Sequence, residues 1–161
     1  MSPRAWLFAT AGFAFLADQV TKVVAVATMR DGESVRVIDD VLRWSLERNP
    51  GAAFGIFRRA PVLFTVLAIV IAVAIVWASS NVRNGWHGVA LGLVLGGALG
   101  NLADRLVRAP GPFRGRVVDF IDLRVWPTFN VADSAVVIGA ILLAVTSFRS
   151  ESSRGDRTAS G

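Results

Sequence analysis

The sequence predicts an all-α membrane protein, a bundle of four transmembrane helices with a small β-hairpin cradle on one face. Three observations predict it. The chain has 161 residues, 53% of them hydrophobic, and its mean hydropathy of +0.54 is high for a soluble domain. Its apolar residues come in long blocks rather than as the one-sided stripe of a soluble amphipathic helix. The few ionisable residues inside those blocks all fall toward the same end of the bundle.

Each predicted span is about the 20 residues that a helix needs to cross roughly 30 Å of hydrocarbon. The first covers about 5–29 and is interrupted by Asp18 and Lys22. It could be read as a signal peptide, with Arg4 before an apolar run. A cut after Ala17, however, would place the bulky Phe15 at the −3 position, and apolar character resumes after Asp18, so a retained span is expected. The second span, 60–82, carries no charge until its end; the third is 84–105, and the fourth, 127–148, is broken by Asp133. Loops 30–59 and 106–126 join them on one side, and 150–161 is expected to be a disordered tail.

Four alternating spans bring Asp18, Lys22, Asn101, Asp104, Arg105, Asn130 and Asp133 toward one membrane face. At mid-bilayer each charged group would cost roughly 2.5–3.5 kcal/mol, so such residues face protein or water and mark function. Trp6, Trp77 and Trp86 fall at span ends on the opposite side and Trp126 on the polar side, as in interfacial belts. Arginine counting gives an orientation. Arg30, Arg36, Arg43, Arg48, Arg58, Arg59, Arg108, Arg114, Arg116 and Arg124 lie on the polar side, which the positive-inside rule would assign to the cytoplasm.

Gly88, Gly92, Gly96 and Gly100 recur every fourth residue of the third span, a small-residue stripe that lets helices approach closely. Ala135, Gly139 and Ala140 offer a matching surface, so the stripe is expected to hold spans three and four together. In the first loop, Val35 and Val37, then Leu42, Trp44 and Leu46, alternate with polar residues around Asp39-Asp40. This predicts a hairpin whose apolar face rests on the membrane surface. Asn49-Pro50-Gly51 is a turn, and 108–116, rich in Gly and Pro, reads as a mobile loop.

The chain contains no Cys and one His, His87, so neither thiolate chemistry nor a transition-metal site is expected, and no cofactor. A net charge of +5 on so apolar a chain suits anionic phospholipid headgroups rather than nucleic acid. Asp119 follows the Gly-rich loop and Asp133 opens span four, near the same membrane surface. Two carboxylates in one low-dielectric site share a proton, so one can activate a water while the other polarises a carbonyl, the chemistry of aspartic proteases. Blander readings stand beside this. Asp119 alone is an ordinary loop carboxylate, Asp133 a helix-dipole partner, Asp18 and Lys22 a self-neutralising pair, and Arg105 a snorkelling cation.

The series Asp18-x3-Lys22, Asn49-x-Gly51-Ala52-Ala53-Phe54-Gly55, Gly96-Gly97-Ala98-Leu99-Gly100-Asn101-x2-Asp104-Arg105, Val118-Asp119-Phe120 and Phe129-Asn130-x-Ala132-Asp133 resembles the bacterial prolipoprotein (type II) signal peptidase family. The resemblance runs from Asp18 to the end of span four. It implies an aspartyl endopeptidase of the cytoplasmic membrane that cuts the signal peptide from diacylglyceryl-modified prolipoproteins, before the lipidated cysteine. Asp119 and Asp133 match the family's catalytic dyad. Asn49, Asn101, Arg105 and Asn130 match polar positions of the substrate site, Asp18 and Lys22 the first-span pair, and Gly51 and Asp104 lie in the same motifs, Asp104 in a structural role.

The same resemblance implies both termini in the cytoplasm, with an extracytoplasmic cradle and active site, against the arginine count. A departure is the short stretch 121–129 between the two Asp residues, which bears on the reach of the flap. A monomer is expected. A small proton-coupled transporter is the alternative, but it would place its carboxylates nearer mid-membrane, on a path open to both sides. A scaffold would explain the glycines and not the paired Asp residues.

Overall fold

Long apolar helices and a small antiparallel sheet build the chain; the computed structural model describes residues 1–51, 61–82 and 84–159, with side chains to residue 146. Residues 52–60, Arg83 and 160–161 lie outside the described residues. With them go Ala52 to Gly55 of the turn motif, Arg58, Arg59 and the first residue of the predicted second span.

Helix α1 spans Pro3–Thr28, α2 Pro61–Ala78, α3 Gly85–Val107 and α4 Val131–Ala159. The local reasons are visible. Ser2 caps α1, with Pro at the start, where its missing N–H costs nothing. Asn84 accepts from the Trp86 N–H to cap α3. Among the described residues, α1, α2 with its 3-10 extension and α3 are long and apolar enough to cross a membrane; α4 contributes a shorter apolar stretch, Val131–Thr146.

Two boundaries of α4 differ from expectation. It begins at Val131 rather than 127, because Phe129 pairs backbone to backbone with Ile121 and Asn130 becomes its cap. It also continues to Ala159, across the residues expected as a tail. Extending an existing helix needs no new nucleation, which is the costly step.

The hairpin is present as β1 (Ser34–Ile38) and β2 (Leu42–Asn49). Asp40 makes the turn at φ 52°, a left-handed conformation that Asp tolerates. The sheet has a third strand within the expected loop 106–126: β3, Val117–Asp122, pairs antiparallel with β2 in the order β1-β2-β3. The Val- and Ile-rich composition of 117–121 was the available signal. Leu46, Val118 and Phe120 are buried with Ala25 of α1, which seats the sheet on the end of that helix. The predicted apolar face of the hairpin is therefore divided: Leu46 is buried, while Val35 and Val37 are exposed.

The loop 108–116 is bonded rather than loose. The Gly115 N–H donates to the Arg105 carbonyl, Arg116 N–H to Ala109, and the Thr65 hydroxyl of α2 to the Phe113 carbonyl. A Cβ on Gly115 would lie 2.3 Å from the Asp104 carbonyl oxygen, so this glycine lets the chain run tight against the end of α3.

The glycine stripe also does something other than expected. A Cβ on Gly88, Gly92 or Gly96 would meet a backbone oxygen of α1 (Pro3, Leu7, Ala11) at 2.3–2.5 Å. The stripe thus brings α3 against α1, not α4. Four-residue spacing keeps these glycines on one face, and that face is turned to α1. The α3–α4 contact uses Gly97, against the Ala132 carbonyl, and Gly139, against that of Ala90.

Gly96→Leu should drive a side chain into the Ala11 carbonyl and separate the two helices. The expected loss is about 1–3 kcal/mol or more, as for overpacked cores, read as a lower thermal midpoint in detergent. An unchanged midpoint would show that the contact is not tight.

Candidate active site

Asp119 is placed by β3 and Asp133 by the first turn of α4, and both line one cavity of about 420 Å³ together with Asn49, Gly51, Asn101 and Arg105. Asp119 comes from the sheet. Its neighbour Val118 donates its N–H to Asp104 Oδ2 at 3.1 Å, which fastens β3 to α3 one residue before the carboxylate. The Asp119 side chain is 2% exposed. Asn49 Nδ2 donates to its Oδ2 at 2.9 Å and Asn130 Nδ2 to its Oδ1 at 2.6 Å. Asn49 pairs with Val117 across the β2–β3 ladder, so it and Asp119 share a face as diagonal neighbours. Its other amide atom, Oδ1, accepts from the Gly51 N–H at 2.7 Å, holding a turn in which Gly51 takes φ 95°.

Asp133 is held by a capping box. Asn130 Oδ1 accepts from the Asp133 N–H at 3.0 Å, and Asp133 Oδ2 accepts in return from the Asn130 N–H at 3.2 Å. Asp133 Oδ1 accepts from Asn101 Nδ2 at 2.7 Å. Asn130 therefore touches both carboxylates, one through its side-chain amide and the other through the cap. The short stretch 121–129 makes this possible: Ile121 and Phe129 bond to each other on its return, setting Asn130 beside the strand it left.

Below the carboxylates lies a fully buried ionic group. Lys22 Nζ donates to Asp18 Oδ2 at 2.8 Å, Asp104 Oδ2 at 2.9 Å and Asn101 Oδ1 at 2.9 Å. Asp18 Oδ1 accepts from the Ala132 N–H at 2.9 Å, satisfying an unpaired donor at the start of α4. The i,i+4 pairing of Asp18 and Lys22 is real, but it is one part of a junction of α1, α3 and α4. Asp104, assigned to structure, is shared by Lys22, Arg108 and the Val118 N–H, and so reaches the site through β3. Gln19, which donates to Asp18 and to the Gly100 carbonyl, was not anticipated; its position next to Asp18 was the only signal.

Arg105 is 7% exposed with its guanidinium over the Phe64 ring at 5.6 Å. Its Nη1 has no hydrogen-bond partner among the described residues and lies 3.5 Å from where a Gly51 Cβ would stand. It is a buried donor at the cavity wall. Among the described residues no group of three or more His, Asp or Glu is placed to hold a metal ion. Chemically, the cavity offers two carboxyl groups and a guanidinium donor that no described residue engages.

A family model described as signal peptidase (SPase) II matches residues 10–149. A lipoprotein signal peptidase of Rhodococcus jostii is 47% identical over 142 residues, 88% of this chain and 72% of the relative. One from Mycobacterium avium is 47% identical over 141 residues, 88% of this chain and 78% of the relative. A solved structure described as a bacterial membrane enzyme superposes with a TM-score of 0.78 at 37% identity, covering 89% of this chain and 88% of that one.

Burial pushes the Asp119 carboxyl up from 3.8 to about 7, and the neighbouring Asp133 carboxylate adds to the rise; the Asn49 and Asn130 amides oppose it. The folded state thus favours neutral Asp119. Its contribution to stability is complete below the ordinary carboxylate value of 3.8 and is lost as pH rises through about 7. A protonated-carboxyl infrared band should disappear over that upper range and be missing in Asp119→Asn. A band that titrates near 4 would refute the shift.

Proposed function

This chain belongs to the signal peptidase II family, and from that premise we propose how its buried carboxylates perform the family's reaction. The chain is an aspartic-type peptidase of the membrane that removes the signal peptide from prolipoproteins. We assign the catalysis to Asp119 and Asp133 and the cut to the bond before the diacylglyceryl-modified cysteine. The observation that carries the assignment is that the two carboxyl groups line one cavity, each anchored by Asn amides, with one shifted to about 7.

In this mechanism the two groups share one proton. Asp133, at the α4 N-terminus where the helix dipole suits negative charge, takes a proton from water. Protonated Asp119 donates to the scissile carbonyl as the water oxygen attacks carbon. Collapse of the tetrahedral intermediate breaks the carbon–nitrogen bond and passes a proton to the leaving amine. Arg105 Nη1, without a hydrogen-bond partner among the described residues, is a donor for a substrate backbone carbonyl beside Gly51. The transporter alternative is not favoured, since relatives over most of the chain are peptidases.

Four crossings, with the sheet and dyad outside the cytoplasm and both termini inside, complete the proposal. The support is that α1, α2 and α3 are long enough to span, that α4 adds Val131–Thr146, and that the sheet lies at the dyad end. A signal peptide enters the membrane with its basic start in the cytoplasm, so its cleavage site emerges on the far side. That argument outweighs the arginine count. The chain is read as acting as a monomer amid phospholipid.

Asp119→Asn and Asp133→Asn should each lower cleavage of a lipidated prolipoprotein by about 10²- to 10⁴-fold, with the double variant little worse because the pair acts as a unit. Asp122→Asn is the comparison: its carboxylate accepts from the Arg124 N–H just past the end of β3, and activity should be near normal. Near-normal turnover in either dyad variant of folded protein would overturn the mechanism. A reporter fused after Gly161 should be cytoplasmic and one inserted at Gly111 extracytoplasmic; reversed labelling would reject the orientation.

A further inference from the structure

A second cavity, of about 650 Å³, lies between α1 and α2 over Leu95 and Leu99 of α3. Its walls are apolar, among them Phe8, Gly12 and Phe15 of α1 and Val73 and Trp77 of α2. It shares no lining residue with the dyad cavity, to which α2 presents Phe64 and Ile71 instead. A peptide reaching Asp119 and Asp133 therefore runs along the other flank of α2. From Phe8 to Phe15 the groove extends roughly 10 Å along α1 at 1.5 Å per residue. That is most of one leaflet's half of a roughly 30 Å core. It is the leaflet away from the dyad, since α1 starts there and reaches the buried ionic group only at Asp18.

Gly12 gives the groove its depth. A Cβ there would meet nothing within 4 Å, whereas Gly88, Gly92 and Gly96 each admit a neighbouring backbone. Glycine weakens a helix interior, and no helix–helix contact at Gly12 offsets this. At the outer end, Trp77 is 83% exposed, and the exposed Arg4 holds its guanidinium 5.7 Å over the Phe8 ring, one turn before the groove begins. An apolar slot running through most of one leaflet, with a cation at its mouth, complements a lipid with an anionic head.

We infer that the groove between α1 and α2 binds an acyl chain of an anionic phospholipid from the leaflet opposite the dyad, with its headgroup at Arg4. This does not depend on the peptidase reading.

The test uses the full chain in detergent, titrated with phosphatidylglycerol and with phosphatidylcholine of the same acyl chains. Thermal midpoint and retained lipid, counted by native mass spectrometry, are recorded together. Wild type should show a saturable upward shift with one retained lipid, at lower concentration for phosphatidylglycerol. Arg4→Gln should weaken that preference roughly fivefold, the effect of one basic residue near a headgroup. Gly12→Leu should abolish saturation while leaving the lipid-free midpoint and prolipoprotein cleavage unchanged. Should Gly12→Leu lower the lipid-free midpoint, Val73→Trp fills the groove from α2 and must give the same loss of lipid. Saturation equal to wild type in the filled variants would overturn the proposal, as would equal affinity for the two lipids. A raised KM for prolipoprotein with an unaltered lipid response would assign the groove to the signal peptide instead.

Discussion

The ammonium group of Lys22 is buried completely, and an unpaired charge there would be prohibitive. It is accommodated because three acceptors from two helices converge on it: Asp18, Asp104 and Asn101. Each partner has a second task. Asp18 caps the start of α4, Asp104 fastens β3, and Asn101 donates to Asp133. With Arg108 on Asp104, two cations balance two anions, so the group is neutral as a whole. The positions of both cavity carboxylates follow from satisfying this one cation.

The cavity above it has a different electrostatic character. Asp119 and Asp133 line the cavity, and among the described residues their hydrogen-bond partners are amides, which orient a carboxyl group without fixing its charge. Asn130 donates to both, through its side-chain amide and its backbone N–H, and so ties their positions together. Arg105 is close enough to matter yet keeps one nitrogen unengaged among the described residues. The proposed proton transfer would depend on this separation. The ion pairs balance one another below, and the two cavity carboxyl groups sit above them among amides.

Close helix approach is what brings the ionic group together. A Cβ on Gly100 would lie 2.5 Å from Asp18 Oδ2, so the carboxylate reaches α4 across a position where any side chain would block it. The glycines before it set the α1–α3 distance, and Gly97 sets that between α3 and α4. In a membrane, where helix association gains little from hydrophobic burial, such contacts and the buried polar bonds carry the assembly. Packing and site geometry are thus one problem here.

By itself the sequence determined the apolar spans, the hairpin, the collection of polar residues at one end and, through its motif series, the family. These are local properties: hydropathy over twenty residues, alternation over five, the spacing of glycines on one helix face. Only the tertiary structure decided which neighbour each face meets. The stripe from Gly88 to Gly100 is legible as a contact surface, but nothing local says that it meets α1 rather than α4. Residues 117–122 lack the polar–apolar alternation that marks the hairpin and are settled as a strand only when β2 supplies a ladder. Asp104 looks like scaffolding until the Val118 N–H arrives on it. Asn130 likewise becomes the bridge between two carboxylates only because the Ile121–Phe129 return sets it there. A partner that comes from a distant segment leaves no periodicity to read, and the energy that selects it exists only once both segments are in place.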